Sequence, residues 1–329
     1  MKALVYTANE EVTYRDEPDP VAASGEVIVR VDAVGICGSD MHAYVGHDPR
    51  RVPPLILGHE AAGTVTDGPG AGRRAVLNPL ITCGRCDDCL GGRSNLCARR
   101  DLIGMYRPGA FAERISIPET NLIDIPEGMD PAHAALTEPA ATALHAVNLA
   151  AKVSHRPLTE CSALVLGGGS VGLLAALALR DHGVDQLELA ETNKLRRETA
   201  RRAGIDGVFD PASRKTTESA FQVVVDAVGG RITRAAAMAA VRPGGVVMHI
   251  GLMDNDGGFD ARRLTLQEIT VIGTYTYTPV DMRAALKKLH AGAFGDLSWI
   301  EQRSLEQGPA AFRELLHGRS GAPKIVLRP

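Results

Sequence analysis

The chain has 329 residues, 45% of them hydrophobic and 23% charged, with a formal net charge of −3 at pH 7. That length exceeds what one core usually serves, so two domains, or one split by an insertion, are expected. The near-neutral charge offers no broad cationic face for nucleic acid, and no apolar run approaches the roughly 20 residues of a membrane span.

The first segment, MKALVYTANEEVTY, alternates apolar and polar residues like a strand and unlike an export signal. A cytoplasmic address is predicted, where six cysteines point to metal or catalysis before disulfides. Up to about residue 125, short alternating runs such as Val27–Val31 and Ala75–Leu77 lie between Gly, Pro and Asp clusters, an all-β pattern. Within it, Cys37-Gly-Ser-Asp-Met-His42 and Gly58-His59-Glu60 supply a thiolate, an imidazole and carboxylates at strand ends and turns. A catalytic zinc needs about three protein ligands and one open position. Cys37 and His59 suit two; Glu60 and Glu138, the latter just before Pro139, compete for the third. Asp40 reads either as the acceptor that fixes the His59 tautomer or as a turn residue.

Cys83, Cys86, Cys89 and Cys97 fall in one Gly-containing loop. Four thiolates fill a tetrahedral zinc completely, so this second site would be closed to substrate and structural. Cys161, at the entry to the next strand, reads as an inert core thiol.

From about 160 to 275 apolar runs alternate with helical stretches, which implies parallel βαβ units and an α/β fold with a doubly wound parallel sheet. Leu166-Gly167-Gly168-Gly169-Ser170-Val171-Gly172 matches the dinucleotide fingerprint: a tight turn at Gly167, close approach of a pyrophosphate at Gly169, helix-on-strand packing at Gly172. Glu191, nineteen residues after Gly172, suits the adenosine ribose hydroxyls and would repel a 2′-phosphate, which favours NAD over NADP. Lys194, Arg196 and Arg197 follow, and could instead welcome that phosphate or simply face solvent. Helical segments near 280–291 and 309–317 and a strand at 324–327 close the chain.

These motifs, CGSDMH, GHEAAG, the four-cysteine lobe, EPAATALHA and the glycine fingerprint, occur in the order found in the zinc-containing medium-chain dehydrogenases. The chain resembles most closely that family's polyol and threonine dehydrogenase branch. The resemblance implies a GroES-like, mainly-β catalytic domain over 1–150 with both zinc sites, a Rossmann NAD-binding domain over 151–280, and a return to the first domain over 281–329. It implies two zincs per chain, NAD, a small alcohol or polyol substrate, and a homodimer or homotetramer. Ser39 would take the alcohol proton and His42 pass it to solvent; Glu60 and Glu138 would exchange as zinc ligands. Val171, Glu191 and Arg196 would contact NAD, while Gly251-Leu252 and Thr274-Tyr275 would flank the nicotinamide. Two departures stand out: the connection between Thr64 and Val76 is trimmed, and Gly38 occupies the place of a cation that simple alcohol dehydrogenases carry after the zinc cysteine. The alternatives are a threonine dehydrogenase and a dinucleotide-binding protein that has lost catalysis.

Overall fold

The computed structural model describes all residues, 1–329. The sequence from 162 to 273 forms a six-stranded sheet, every neighbouring pair parallel, in the order 207–209, 186–190, 162–166, 221–226, 241–249, 270–273. Its central strands are the uninterrupted apolar runs Ala163–Leu166 and Val223–Val225, buried on both faces as parallel strands must be. The helix Ser170–Asp181, continuously buried from Gly172 to Leu179, covers one face. Arg231–Ala240 packs on the other through Ala237, Met238 and Ala240.

The N-terminal part folds mainly as strands. A seven-stranded sheet runs 122–124, 74–77, 60–67, 26–35, 324–328, 300–304, with Arg114–Pro118 also paired to Glu26–Gly35. The trimmed connection proves to be a hairpin turn: Thr64 pairs with Arg74, and Gly68, Gly70 and Gly72 between them all take positive φ, which only glycine adopts without strain. The closing helices Pro279–His290 and Gly308–Leu316 and the strand Lys324–Arg328 lie where the sequence placed them. Lys324–Arg328 inserts beside Glu26–Gly35, close to the Cys37 turn. A strand at Ile300–Ser304 was not expected; it pairs on one side only, and its polar residues Glu301, Gln302 and Arg303 hide the apolar alternation.

The two sheets share a core. The helix Thr137–Val153 buries Ala140, Ala143, Leu144 and Val147 in one cluster with Ala33 and Val76 of the first sheet and Val165 and Val225 of the second. Pro139 occupies its first turn, where a missing N–H costs nothing. No helix is long and apolar enough to cross a membrane.

Candidate active site

Two groups of side chains have the geometry of metal sites. Around the Asp87–Leu90 helix and the turn Ser94–Leu96, the ligand atoms of Cys83, Cys86, Cys89 and Cys97 all lie within 4.8 Å of one another. The Cys83–Cys97 and Cys86–Cys89 sulfurs are 3.5 Å apart and Cys83–Cys89 3.9 Å, against about 3.8 Å for the edge of a tetrahedron with Zn–S bonds of about 2.3 Å. No cysteine is disulfide-bonded. Backbone N–H groups of Arg85 and Cys86 draw the Cys83 thiol down to about 6, toward the thiolate a metal needs. This donor set fits zinc.

The second group is Cys37, His59 and Glu60, again within 4.8 Å. Cys37 sits at the N-cap of the helix Gly38–Tyr44, and Glu60 opens the strand Glu60–Asp67 opposite Gly35. His59 Nδ1 faces Asp40 Oδ1 at 3.4 Å, while Asp40 Oδ2 accepts the Cys37 N–H at 2.9 Å. Asp40 therefore aims the Nε2 edge of His59 toward the open side, and the turn-residue reading gives way to an orienting contact. Burial opposes charge on both partners, yet their mutual attraction prevails. It holds Asp40 below the usual carboxylate range and His59 well above the usual imidazole one. A metal binding here displaces that proton.

Glu60 is fully buried and ion-paired with Lys324, whose Nζ donates to Oε1 at 2.7 Å, to Oε2, and to the Ile36 carbonyl at 2.8 Å. Glu138, also buried, stands outside the close trio and has no cation of its own. Burial, with Glu60 repelling it against the pull of His59 and Lys324, pushes its pKa up to about 7. The two glutamates thus differ in their partners: Glu60 has the Lys324 ammonium, and Glu138 has none. The donor set fits a zinc with one position left open.

Two cavities meet at this point. One, of about 850 Å³, runs between Ser39, His42 and Asp48–Arg50 on one wall and His249, Gly251–Asn255 and Phe259 on the other. A second, of about 730 Å³, runs from Cys37 and Gly38 to the glycine turn and Arg196. His42, His47 and Met253 line both. At the glycine turn Gly167 has φ +98°, and a Cβ on Gly172 would stand 1.8 Å from the Gly167 carbonyl, whereas a Cβ on Gly169 would meet nothing within 4 Å. That open space at the N-terminus of a twelve-residue helix, with the buried Ser170 hydroxyl unpartnered beside it, is a cradle for a pyrophosphate. Glu191 accepts N–H groups from Gly168 and Asn193, each at 2.7 Å, and the Thr192 hydroxyl at 3.3 Å, which leaves acceptor capacity on Oε2 for a ribose hydroxyl.

The profile described as the alcohol dehydrogenase GroES-like domain matches residues 23–127, and that of the zinc-binding dehydrogenases matches 170–291. L-Galactonate-5-dehydrogenase of Escherichia coli K12 is 31% identical over 85% of each chain. The chain belongs to the zinc-binding alcohol dehydrogenase family. Among other members, sorbitol dehydrogenase of Halalkalibacterium halodurans is 29% identical over 100% of this chain and 99% of its own. L-threonine 3-dehydrogenase of Streptomyces coelicolor is 30% identical over 99% of both. The crystal structure of a zinc-binding dehydrogenase of Sinorhizobium meliloti 1021 bound to NADP superposes with a TM-score of 0.87 at 28% identity, covering 100% of this chain and 99% of that one. The molecule is accordingly a zinc-type oxidoreductase that acts on a small alcohol with a nicotinamide dinucleotide.

Within this dehydrogenase, several residues at the site have no sequence motif of their own. Arg51, 3% exposed, lies under the site: it donates to Asp48 and the Gly104 carbonyl, and its Nη2 is 3.3 Å from Ser39 Oγ. Ser39 Oγ is in turn 3.4 Å from His59 Nε2. Burial and the nearby His47 and Arg51 lower the His42 pKa against the pull of Asp48, so the ring is neutral and free to accept a proton. Of the three basic residues after Glu191, Arg197 is committed to the Glu191 and Thr192 carbonyls and to Asp210, and Lys194 is exposed near Glu198. Arg196 alone lines the cofactor cavity, with its Nε buried and unpartnered. Leu252 lies on the wall of the first cavity, whereas Thr274 and Tyr275 line neither and form a backing segment instead. Cys161 is buried, its thiol on the Pro157 carbonyl at 3.4 Å.

Proposed function

We propose that this dehydrogenase oxidises a secondary hydroxyl of a neutral polyol or sugar alcohol, passing hydride to NAD. The observation that carries this reading is the pairing of charges in the 850 Å³ cavity. Arg50 is held by Asp48 through two contacts at 2.7 and 3.0 Å, and Asp254 by Arg234 at 2.5 Å. A threonine substrate needs an unpaired acid for its ammonium; here Asp48 is shared between Arg50 and Arg51 and Asp254 is taken by Arg234, so no acid is left over. What remains to a ligand is a wall of histidines, Ser39, Asn255 and backbone groups, suited to hydroxyls.

In this reading Cys37, His59 and Glu60 hold one zinc, with Glu138 as the exchanging carboxylate, and the four cysteines hold another. Bound zinc supplies a Lewis acid that eases loss of the alcohol proton near neutral pH, and bound NAD supplies the hydride acceptor. Ser39 Oγ takes the alcohol proton, and Arg51 keeps that hydroxyl in place. His42 receives the proton and hands it to the open cavity mouth. Val171, Ser170 and the turn Gly167–Gly172 seat the pyrophosphate, Glu191 the adenosine ribose, and Arg196 an adjacent phosphate oxygen. A carboxylate at Glu191 would repel a 2′-phosphate, which favours NAD over NADP. Gly251 and Leu252 flank the nicotinamide, and Thr274 and Tyr275, which line neither cavity, support that wall from behind through the His249 carbonyl. The catalytic part spans 1–150 and 281–329 with the dinucleotide part, 151–280, between them, in a cytoplasmic homodimer or homotetramer.

The test is NADH appearance, at matched NAD, over sugar alcohols, their phosphates, simple secondary alcohols and L-threonine. Turnover of an unphosphorylated polyol is expected. Threonine alone as substrate would move the enzyme to the other branch, and silence across the panel in zinc-loaded protein would leave a catalytically silent dinucleotide binder.

A further inference from the structure

The four-cysteine lobe reaches the opposite end of the chain through Asn95. This residue lies in the turn Ser94–Leu96, immediately before Cys97, and is 3% exposed. Its Nδ2 donates to the Tyr275 carbonyl at 2.8 Å, across 180 residues of sequence. Arg100, just beyond Cys97, stacks its guanidinium 4.7 Å from the centre of the Tyr275 ring, with Nε 3.4 Å from the hydroxyl. Two side chains of the lobe therefore grip one residue of the dinucleotide half.

The gripped segment is under strain. Thr276 has φ 49°, a left-handed conformation that a β-branched residue takes only where its surroundings impose it. The Thr276 hydroxyl is buried without a hydrogen-bond partner, and the buried Tyr277 hydroxyl lies against Glu138 at the open metal site. On its other side Thr274 donates to the His249 carbonyl at 2.9 Å, and His249 lines the 850 Å³ cavity. Residues 274–277 thus connect the cavity wall to the metal pocket, and the lobe holds them from outside.

We propose that Asn95 is a positioning residue: it carries the placement of the four-cysteine lobe to residues 274–277 and thereby sets how the nicotinamide end of the cofactor seats. This rests on the assignment of Gly251 and Leu252 to the nicotinamide given under the proposed function, a wall that Thr274 backs through the His249 carbonyl. Asn95→Leu keeps the branching of the side chain, removes the donor and leaves the Tyr275 carbonyl unpaired. Arg100→Leu weakens the same grip from outside the cysteine set.

The experiment measures NADH affinity by fluorescence titration, KM and kcat for NAD, zinc content and melting temperature for both variants. With zinc content and melting temperature held, Asn95→Leu is expected to raise the NADH Kd and the KM for NAD about tenfold, equivalent to about 1.4 kcal/mol. Arg100→Leu is expected to move both the same way by less. NADH affinity unchanged in either variant overturns the proposal, as does loss of lobe zinc with affinity intact, because the lobe would then be structural only. Wild-type enzyme that fails to bind NADH sinks the functional reading itself, and is told apart by needing no variant.

Discussion

Glu138→Gln probes the buried carboxylate pair most directly. In the metal-free protein Glu138 is raised from an ordinary 4.5 to about 7 by burial and by Glu60, against the pull of His59 and Lys324. Below pH 4.5 the group is protonated in folded and unfolded chains alike and has no effect on stability. As pH climbs from 4.5 to about 7 the unfolded chain loses the proton while the folded one keeps it, so folding weakens; above 7 both are ionised and the loss is complete. At about 1.4 kcal/mol per pH unit the full loss is of the order of 3 kcal/mol. Glutamine carries no charge at any pH and escapes it. Urea unfolding of chelator-stripped protein, read as the difference in midpoint between variant and wild type, should show little difference at pH 4.5. A gain for the variant should grow toward pH 8. The comparison cancels titrating groups remote from Glu138, which both proteins share. A gain that is flat with pH, or largest in acid, would refute the assignment of a raised pKa to this residue.

Three further outcomes are expected. Cys37→Ser should abolish most turnover while leaving NADH affinity within about twofold, measured by fluorescence titration; joint loss of both would mean that Cys37 is structural, since an open zinc site needs its ligands for chemistry and not for dinucleotide binding. Gly172→Ala should weaken NADH binding and lower the melting temperature together, because its Cβ would stand 1.8 Å from the Gly167 carbonyl and force the phosphate turn apart. Arg234→Met should raise the KM for the alcohol: this 3%-exposed arginine donates to the carbonyls of Gly229, Asp254, Asp256 and Gly257 and to the Asp254 carboxylate, which together fix the cavity wall. Removing charge-assisted bonds of about 1.5–3 kcal/mol each should also cost several kcal/mol of stability, seen in the melting temperature.

What was legible in the sequence was whatever depends on neighbours along the chain. Cys83 to Cys97 and Gly167 to Gly172 act through close spacing, and the structure brings each set together. Cys37 and His59 were legible only as a chemical complement, and they meet because Glu26–Gly35 and Glu60–Asp67 pair antiparallel. What sets Glu60 apart from Glu138, its ion pair with Lys324, was not legible in advance, because Lys324 lies 264 residues from Glu60 in a strand that reads as plain core. Arg50 and Arg51 belong to no motif; only the fold leaves Arg50 half-exposed and buries Arg51 beneath Ser39. Asn95 was passed over among the cysteines, since its partner lies 180 residues downstream.

The helix Thr137–Val153 has one more consequence. Its buried alanines and leucines belong to a core that both sheets contribute to, so the interior is continuous from one half to the other and neither half has a complete apolar interior when cut free. Cooperativity should follow from that continuity: heating is expected to melt both halves in one transition, and a fragment ending near residue 150 would expose the face that the other half now covers. The cavity walls around Asp48 and Asp254 lie outside that shared core.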